Sequence, residues 1–255
     1  MSWNPDQYLK FAAPRLRPAI DLLAAVPSAH PVTIYDLGCG PGNVTRMLAE
    51  RWPQAHITGV DDSAPMLAKA ATELPGAHWV QQSLADWHAE RPADLIYSNA
   101  ALHWLPDHAR LFPALVAQVA PGGVFAAQMP RNFEAPSHAL IAETVRSGSW
   151  RARLEPLLRP SPVAGPDFYY DVLAPRVAQL DIWETEYLQV LEGTDPVKEW
   201  TKGTWLKQFL DALDAPERGP FEADYAARLR SAYPARADGK TLFPFRRLFM
   251  VAVAR

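Results

Sequence analysis

Cysteine is almost missing: Cys39 stands alone in 255 residues. That excludes an intramolecular disulfide and any cysteine-based zinc site, and it leaves Cys39 as a small side chain packed under its loop. Long apolar runs are missing too. No stretch reaches the roughly 20 residues needed to cross a bilayer, so no membrane partner is expected. The start, Met1-Ser2-Trp3-Asn4-Pro5-Asp6, lacks the basic and apolar parts of a signal peptide, and a cytoplasmic location is the expectation. Nor is there an excess of one charge. The 25 Lys and Arg against 28 Asp and Glu leave a net charge of −3, so no overall field favours nucleic acid. A local basic pocket for a small anion remains open. No His, Cys, Asp and Glu pattern suggests a metal, and no pair of residues reads as a catalytic dyad.

What the chain does have is proline, 25 residues, about twice the average share. Pro156, Pro160, Pro162 and Pro166 crowd into one stretch that holds neither a continuous helix nor a central strand. The region from Asn132 to Arg176 therefore reads as an irregular insertion. Before it, strand and helix signals alternate. Strands are expected at Val32–Tyr35, Ile57–Asp61, His78–Gln81, Leu95–Asn99 and Val124–Met129. Ser63 and Asp107 are positioned to cap helices; the second helix carries Leu111, Leu115, Val116 and Val119 at helical spacing and ends at Pro121-Gly122-Gly123. After the insertion, Asp181–Tyr187 and Arg247–Val253 read as strands, with helices over Val197–Leu213 and Phe221–Tyr233 between them. Alternation of this kind implies an α/β, Rossmann-like, doubly wound sheet of seven mostly parallel strands, with an antiparallel final strand and a cap after the fifth. Residues 1–131 would form the cofactor half, 132–178 the insertion, and 179–255 the segment that completes sheet and cap.

The densest signal is Asp36-Leu37-Gly38-Cys39-Gly40-Pro41-Gly42-Asn43, between the first strand and a helix. A dinucleotide loop wants G-x-G-x-x-G, and here the third glycine comes one residue early. A P-loop needs a Lys after its glycines, and none follows. An acid at the strand end suits a ligand with an ammonium there, not a phosphate. The loop resembles motif I of the S-adenosylmethionine-dependent methyltransferases. An acid ending the second strand suits the ribose hydroxyls; Asp61 is favoured, since alternation turns only one of Asp61 and Asp62 to the ligand. Met66 is positioned for the adenine face, Ser83 and Leu84 for its edge, Asn99 and Ala100 for the amino-acid end. Gly38, Gly40 and Asn43 belong to the cradle, and His103 and Trp104 to the methyl group.

Further motifs narrow the resemblance. Trp3-Asn4-Pro5 with Tyr8 and Arg15, Trp104-Leu105-Pro106-Asp107-His108, Gln128-Met129-Pro130, Tyr169-Tyr170-Asp171, Asp181-Ile182-Trp183 and Arg247-Leu248-Phe249 are similar to the trans-aconitate 2-methyltransferase family over essentially the whole chain. The resemblance implies methyl transfer from S-adenosylmethionine to a carboxylate of trans-aconitate, with Tyr8 and Arg15 added to the cofactor residues. A small anionic polycarboxylate would call for Arg131, Tyr169, Tyr170, Lys207 and Arg247, Arg being favoured for paired hydrogen bonds to carboxylates. The chain departs from the family pattern at Arg131, Trp205, Lys207 and Arg246, where Asp, Gly, Arg and Pro are usual. A monomer or weak homodimer is expected. Rival readings are a methyltransferase for another small acid, a cofactor-binding module without catalysis, and a nicotinamide enzyme, the last disfavoured by the early third glycine.

Overall fold

The computed structural model describes residues 12–27 and 30–255, and no side chain of residues 12–15. Tyr8 therefore lies outside the described residues, as does the Arg15 side chain. Helix α1 (Ala12–Ala25) leads into β1 (Thr33–Leu37), every residue of which is buried. Then come α2 (Asn43–Arg51), β2 (His56–Asp61), α3 (Ala64–Glu73), β3 (His78–Gln81), β4 (Ala93–Asn99), α4 (His108–Val116) and β5 (Val119–Pro130). The strand order is β3-β2-β1-β4-β5-β7-β6. Here β6 is Val177–Leu191 and β7 is Thr241–Ala254. Only β7 runs against the rest, antiparallel to both β5 and β6. This is the expected seven-stranded sheet with its antiparallel final strand. The order reverses between β1 and β4, and ligands of open α/β sheets bind at the carboxyl ends beside such a switch point.

Alternation along the strands feeds two cores. On one face Leu22, Leu48, Trp52, Tyr97 and Phe249 pack between α1, α2 and the sheet. On the other, Phe112, Phe125, Tyr169, Leu173 and Met250 pack under α4 and α7 (Pro166–Leu173). A third core lies beyond the sheet. It draws on α5 (Pro136–Ser147), α6 (Arg151–Leu154), α8 (Pro196–Lys202), α9 (Lys207–Ala212) and α10 (Ala215–Ala232). Trp200, Phe209, Phe221 and Tyr225 are buried at its centre. Each such aromatic contributes roughly 1.5–3 kcal/mol by leaving water. The cap is thus drawn from two separate stretches of chain, and β7 joins it to the sheet. Phe243 and Phe245 of β7 belong to the cap core, while Leu248 to Ala254 belong to the sheet.

Four local expectations are corrected. Residues 132–176 are largely helical, because Pro136 and Pro166 occupy the first turns of α5 and α7, where a missing N–H costs nothing. Val119 is not the end of a helix: α4 stops at Val116, and Val119 opens β5 opposite Ala93. The span Val197–Leu213 is two helices, divided by the turn at Gly203-Thr204-Trp205. Ser63 and Asp107 do precede helices, but neither side chain makes a capping bond.

Candidate active site

The glycine loop turns through left-handed backbone at Gly38, Gly40 and Gly42, with φ of 76°, 53° and 81°. A Cβ on Gly38 would lie 2.1 Å from the Ala101 Cβ, so that position cannot carry a side chain. The loop is tied to β2 by Gly38 N–H and Cys39 N–H, which both donate to the Val60 carbonyl, at 2.8 and 3.1 Å. Cys39 is buried and burial pushes its thiol up, which keeps it protonated and unreactive.

Two carboxylates face each other across this loop. Asp61 accepts Gly40 N–H on one oxygen and Ser63 N–H on the other, each at 2.9 Å. Those two bonds lock its rotamer. A carboxylate has about four lone-pair sites, so acceptor capacity remains for two hydroxyls. Burial raises its pKa, partly offset by those N–H donors. Asp36 is fully buried, and the Thr45 hydroxyl donates to it at 2.6 Å. Desolvation lifts Asp36 to about 7, and the negative charge of Asp61 adds to the lift.

The cavity between them holds about 360 Å³, within the range of small-molecule sites. It is lined by Asp36, Gly38, Gly40, Asn43, Asp61, Asp62, Met66, Ser83, Leu84, Asn99 and Ala100, a single surface made from the ends of β1, β2, β3 and β4. Trp104 lines it as well. Residues outside the sequence expectation also line it: Leu16, Cys39, Pro41, Val44, Ser63, Ala101 and Leu105. Most are loop neighbours of expected residues. Leu16 comes from α1, and no local motif marks it. Among the described residues no Lys, Arg or His reaches this cavity, while three Asp do. Such a surface repels phosphates and suits a cation that also carries hydroxyls. The donor set therefore fits the adenosyl, ribose and ammonium groups of S-adenosylmethionine. Asn99 Oδ1, buried without a partner among the described residues, fits an ammonium donor.

A second group of polar side chains lies beside the cavity, toward the cap. His103 sits in a short helical turn, Leu102–Trp104, straight after β4. It is buried, and its Nδ1 has no partner among the described residues. Burial first, then the charge of Arg247, push it down to about 3, so the ring is neutral at physiological pH and a poor base. Arg247 is itself buried in β7, its guanidinium 4.5 Å from the centre of the Phe245 ring. Over them Trp104 stacks on Trp205 at 6.2 Å, and Phe133 meets Trp205 edge-on at 4.8 Å. The residue that departs from the family pattern, Trp205, thus forms part of an aromatic roof.

The remaining basic and phenolic candidates are not gathered there. Arg131 pairs with Glu184 at 2.9 Å and donates to the Ala164 carbonyl. Lys207 pairs with Asp211 one turn along α9. Tyr170 is 58% exposed on α7. Tyr169 is fully buried, its hydroxyl 2.6 Å from His108 Nδ1, while His108 Nε2 lies 3.1 Å from the Leu102 carbonyl. A carbonyl can only accept, so Nε2 carries the proton and Nδ1 accepts from the phenol. Tyr169 therefore steadies the turn that holds His103 and Trp104. The sequence distance of 61 residues between Tyr169 and His108 hides this. Among the described residues no helix is long and apolar enough to cross a membrane.

A 3-2-1-4-5-7-6 sheet with an acid-lined, glycine-looped cavity at its switch point defines a Rossmann-like methyltransferase, and residues 34–123 match the family model of a methyltransferase domain. Solved structures agree on the fold. One is YcgJ of Bacillus subtilis, at 14% identity and TM-score 0.57 over 92% of this chain and 97% of that one. Another is phosphoethanolamine N-methyltransferase 2 of Haemonchus contortus in complex with S-adenosyl-L-methionine. It has 15% identity and TM-score 0.55 over 94% of this chain and 53% of that one. Among sequences, the trans-aconitate 2-methyltransferase of Azoarcus sp. (strain BH72) is 50% identical over 99% of both chains. That of Streptomyces avermitilis is 48% identical over 98% of this chain and 96% of its own. The chain belongs to the trans-aconitate 2-methyltransferase family.

Proposed function

We propose that the protein esterifies a carboxylate of trans-aconitate with the methyl group of S-adenosylmethionine. The observation that carries this is the juxtaposition of an acidic cavity, lined by no Lys, Arg or His among the described residues, and a buried Arg247–His103 site next to it. The first suits a cationic donor, the second an anionic acceptor. Bound in the cavity, S-adenosylmethionine supplies an electrophilic methyl group on a sulfonium. Asp61 would hold the ribose hydroxyls, Asp36 and Asn99 the ammonium end, and Met66 and Leu84 the adenine.

The acceptor oxygen is already ionised at neutral pH, so no base is required, in keeping with a His103 too acidic to act as one. The chain contributes position and dryness. Fixed orientation can supply about 7–11 kcal/mol of a barrier. Sulfonium and carboxylate neutralise each other as they react, and a site roofed by Trp104, Trp205 and Phe133 favours that loss of charge. Arg247 would bind a second carboxylate of the acid, leaving the reacting one less solvated. A monomeric or weakly dimeric enzyme of the cytoplasm, without nucleic-acid partners, belongs to the same reading. The test is transfer of labelled methyl to trans-aconitate, cis-aconitate, isocitrate and citrate, with the ester position mapped. Preference for trans-aconitate supports the proposal; preference for another acid, or none methylated, overturns it.

A further inference from the structure

Gln128 is a buried polar side chain near the site that this reading does not use. It is 1% exposed, and neither its Nε2 nor its Oε1 has a partner among the described residues. It stands in register with Asn99 on the neighbouring parallel strand, and Asn99 lines the cavity. Its partner on the other side is Phe249, so alternation puts Gln128, Asn99 and Arg247 on one face of the sheet. Gln128 and Arg247 are then diagonal cross-strand neighbours, about 7–8 Å apart at Cα. An amide donor and an amide acceptor on adjacent strands would ordinarily bond to each other. Here Gln128 Nε2 and Asn99 Oδ1 do not, although both are buried. Asn99 lines the cavity and Gln128 adjoins it one strand further along the sheet, and two buried groups left this way are complementary to a ligand rather than to each other.

We propose that Gln128 is a specificity-determining residue for the acceptor: its Nε2 donates to one carboxylate of the polyacid while Arg247 holds another. This rests on the acceptor being a polycarboxylate. A neutral amide at this place binds a carboxylate without stripping its charge. Two anchors of fixed separation select acids whose carboxylates match that separation.

The test is Gln128→Leu, which keeps the volume and removes both polar atoms, assayed against the four acids above. The KM for the preferred acid rises about ten- to a hundredfold, the effect of losing one hydrogen bond to a charged group. Discrimination among the acids narrows, kcat changes little, and calorimetric affinity for S-adenosylhomocysteine stays at the wild-type value. The melting temperature does not fall, because among the described residues the Gln128 side chain makes no hydrogen bond to break. Unchanged KM values overturn the assignment. So does a fall in melting temperature together with weaker S-adenosylhomocysteine binding, which marks a structural role. If wild type methylates none of the acids, the polycarboxylate reading fails and this one with it; an active wild type with an indifferent variant removes Gln128 alone.

Discussion

Asp36 shows how far one carboxyl group can be pushed by its surroundings. In the folded protein it keeps its proton up to about 7, against an ordinary value of 3.8. That contribution to stability is complete below pH 4 and is lost as pH rises through 7. A cation in the cavity reverses the preference and favours the ionised form. Binding of S-adenosylmethionine therefore releases a proton below pH 7, and affinity falls by up to about tenfold per pH unit. Calorimetry between pH 5.5 and 8 reads this directly. Asp36→Asn flattens the profile and weakens binding, and a steep wild-type profile that survives in the variant excludes Asp36 as its source. Asp61→Ala acts otherwise: it removes both anchors on Gly40 and Ser63 as well as the ribose acceptors. Its S-adenosylhomocysteine affinity drops more than a hundredfold at every pH, and wild-type affinity in titration excludes the ribose role. These two acids were legible because each stands at or near the end of a strand, Asp36 just before the closely spaced Gly38, Gly40 and Gly42 and Asp61 at the end of the next strand. Gln128 and Leu16 were not. Gln128 shares its face of the sheet with Phe249, 121 residues away, and Leu16 reaches the cavity from a helix that no local motif ties to it.

At the scale of elements, the short helical turn Leu102–Trp104 depends on a helix far along the chain. His108 of α4 binds its first carbonyl, and Tyr169 of α7 fixes the His108 ring. Tyr169→Phe leaves His108 Nδ1 buried and unpaired, at a cost of about 1–3 kcal/mol. Each kcal/mol is worth about 2–4 °C in a chain of this size. The melting temperature falls accordingly, and kcat falls with it as His103 and Trp104 lose their position. Cofactor affinity falls less than kcat, since Asp36 and Asp61 belong to other elements while Trp104 only lines one part of the cavity. A variant with an intact kcat would show that the turn holds without α7. The strands and most helices were readable from alternation and spacing. The helices of residues 136–173 were masked by proline, whose position within a first turn, not its presence, decides whether a helix survives.

In the proposed reading the whole molecule combines a sheet that holds the donor with a cap that roofs the acceptor. Ligand bound only by the folded state stabilises it by mass action. S-adenosylhomocysteine at a hundred times its dissociation constant adds about 2.7 kcal/mol, or roughly 5–11 °C in melting temperature. Scanning calorimetry reads the shift, and Asp61→Ala abolishes it. That the cap draws on two stretches of chain was expected from the sequence; the contacts that join them were not. The cap core is assembled from residues as distant as Ile141 and Phe243, and pattern within a window carries no such information. One feature of the sheet bears on how the chain is made. Strand β7 is last in sequence yet lies inside the sheet, between β5 and β6. As the chain leaves the ribosome, β5 has an open edge and β6 has no neighbour until residues 241–254 emerge. Open edges invite pairing with other chains, so the growing polypeptide needs protection until its final strand is inserted.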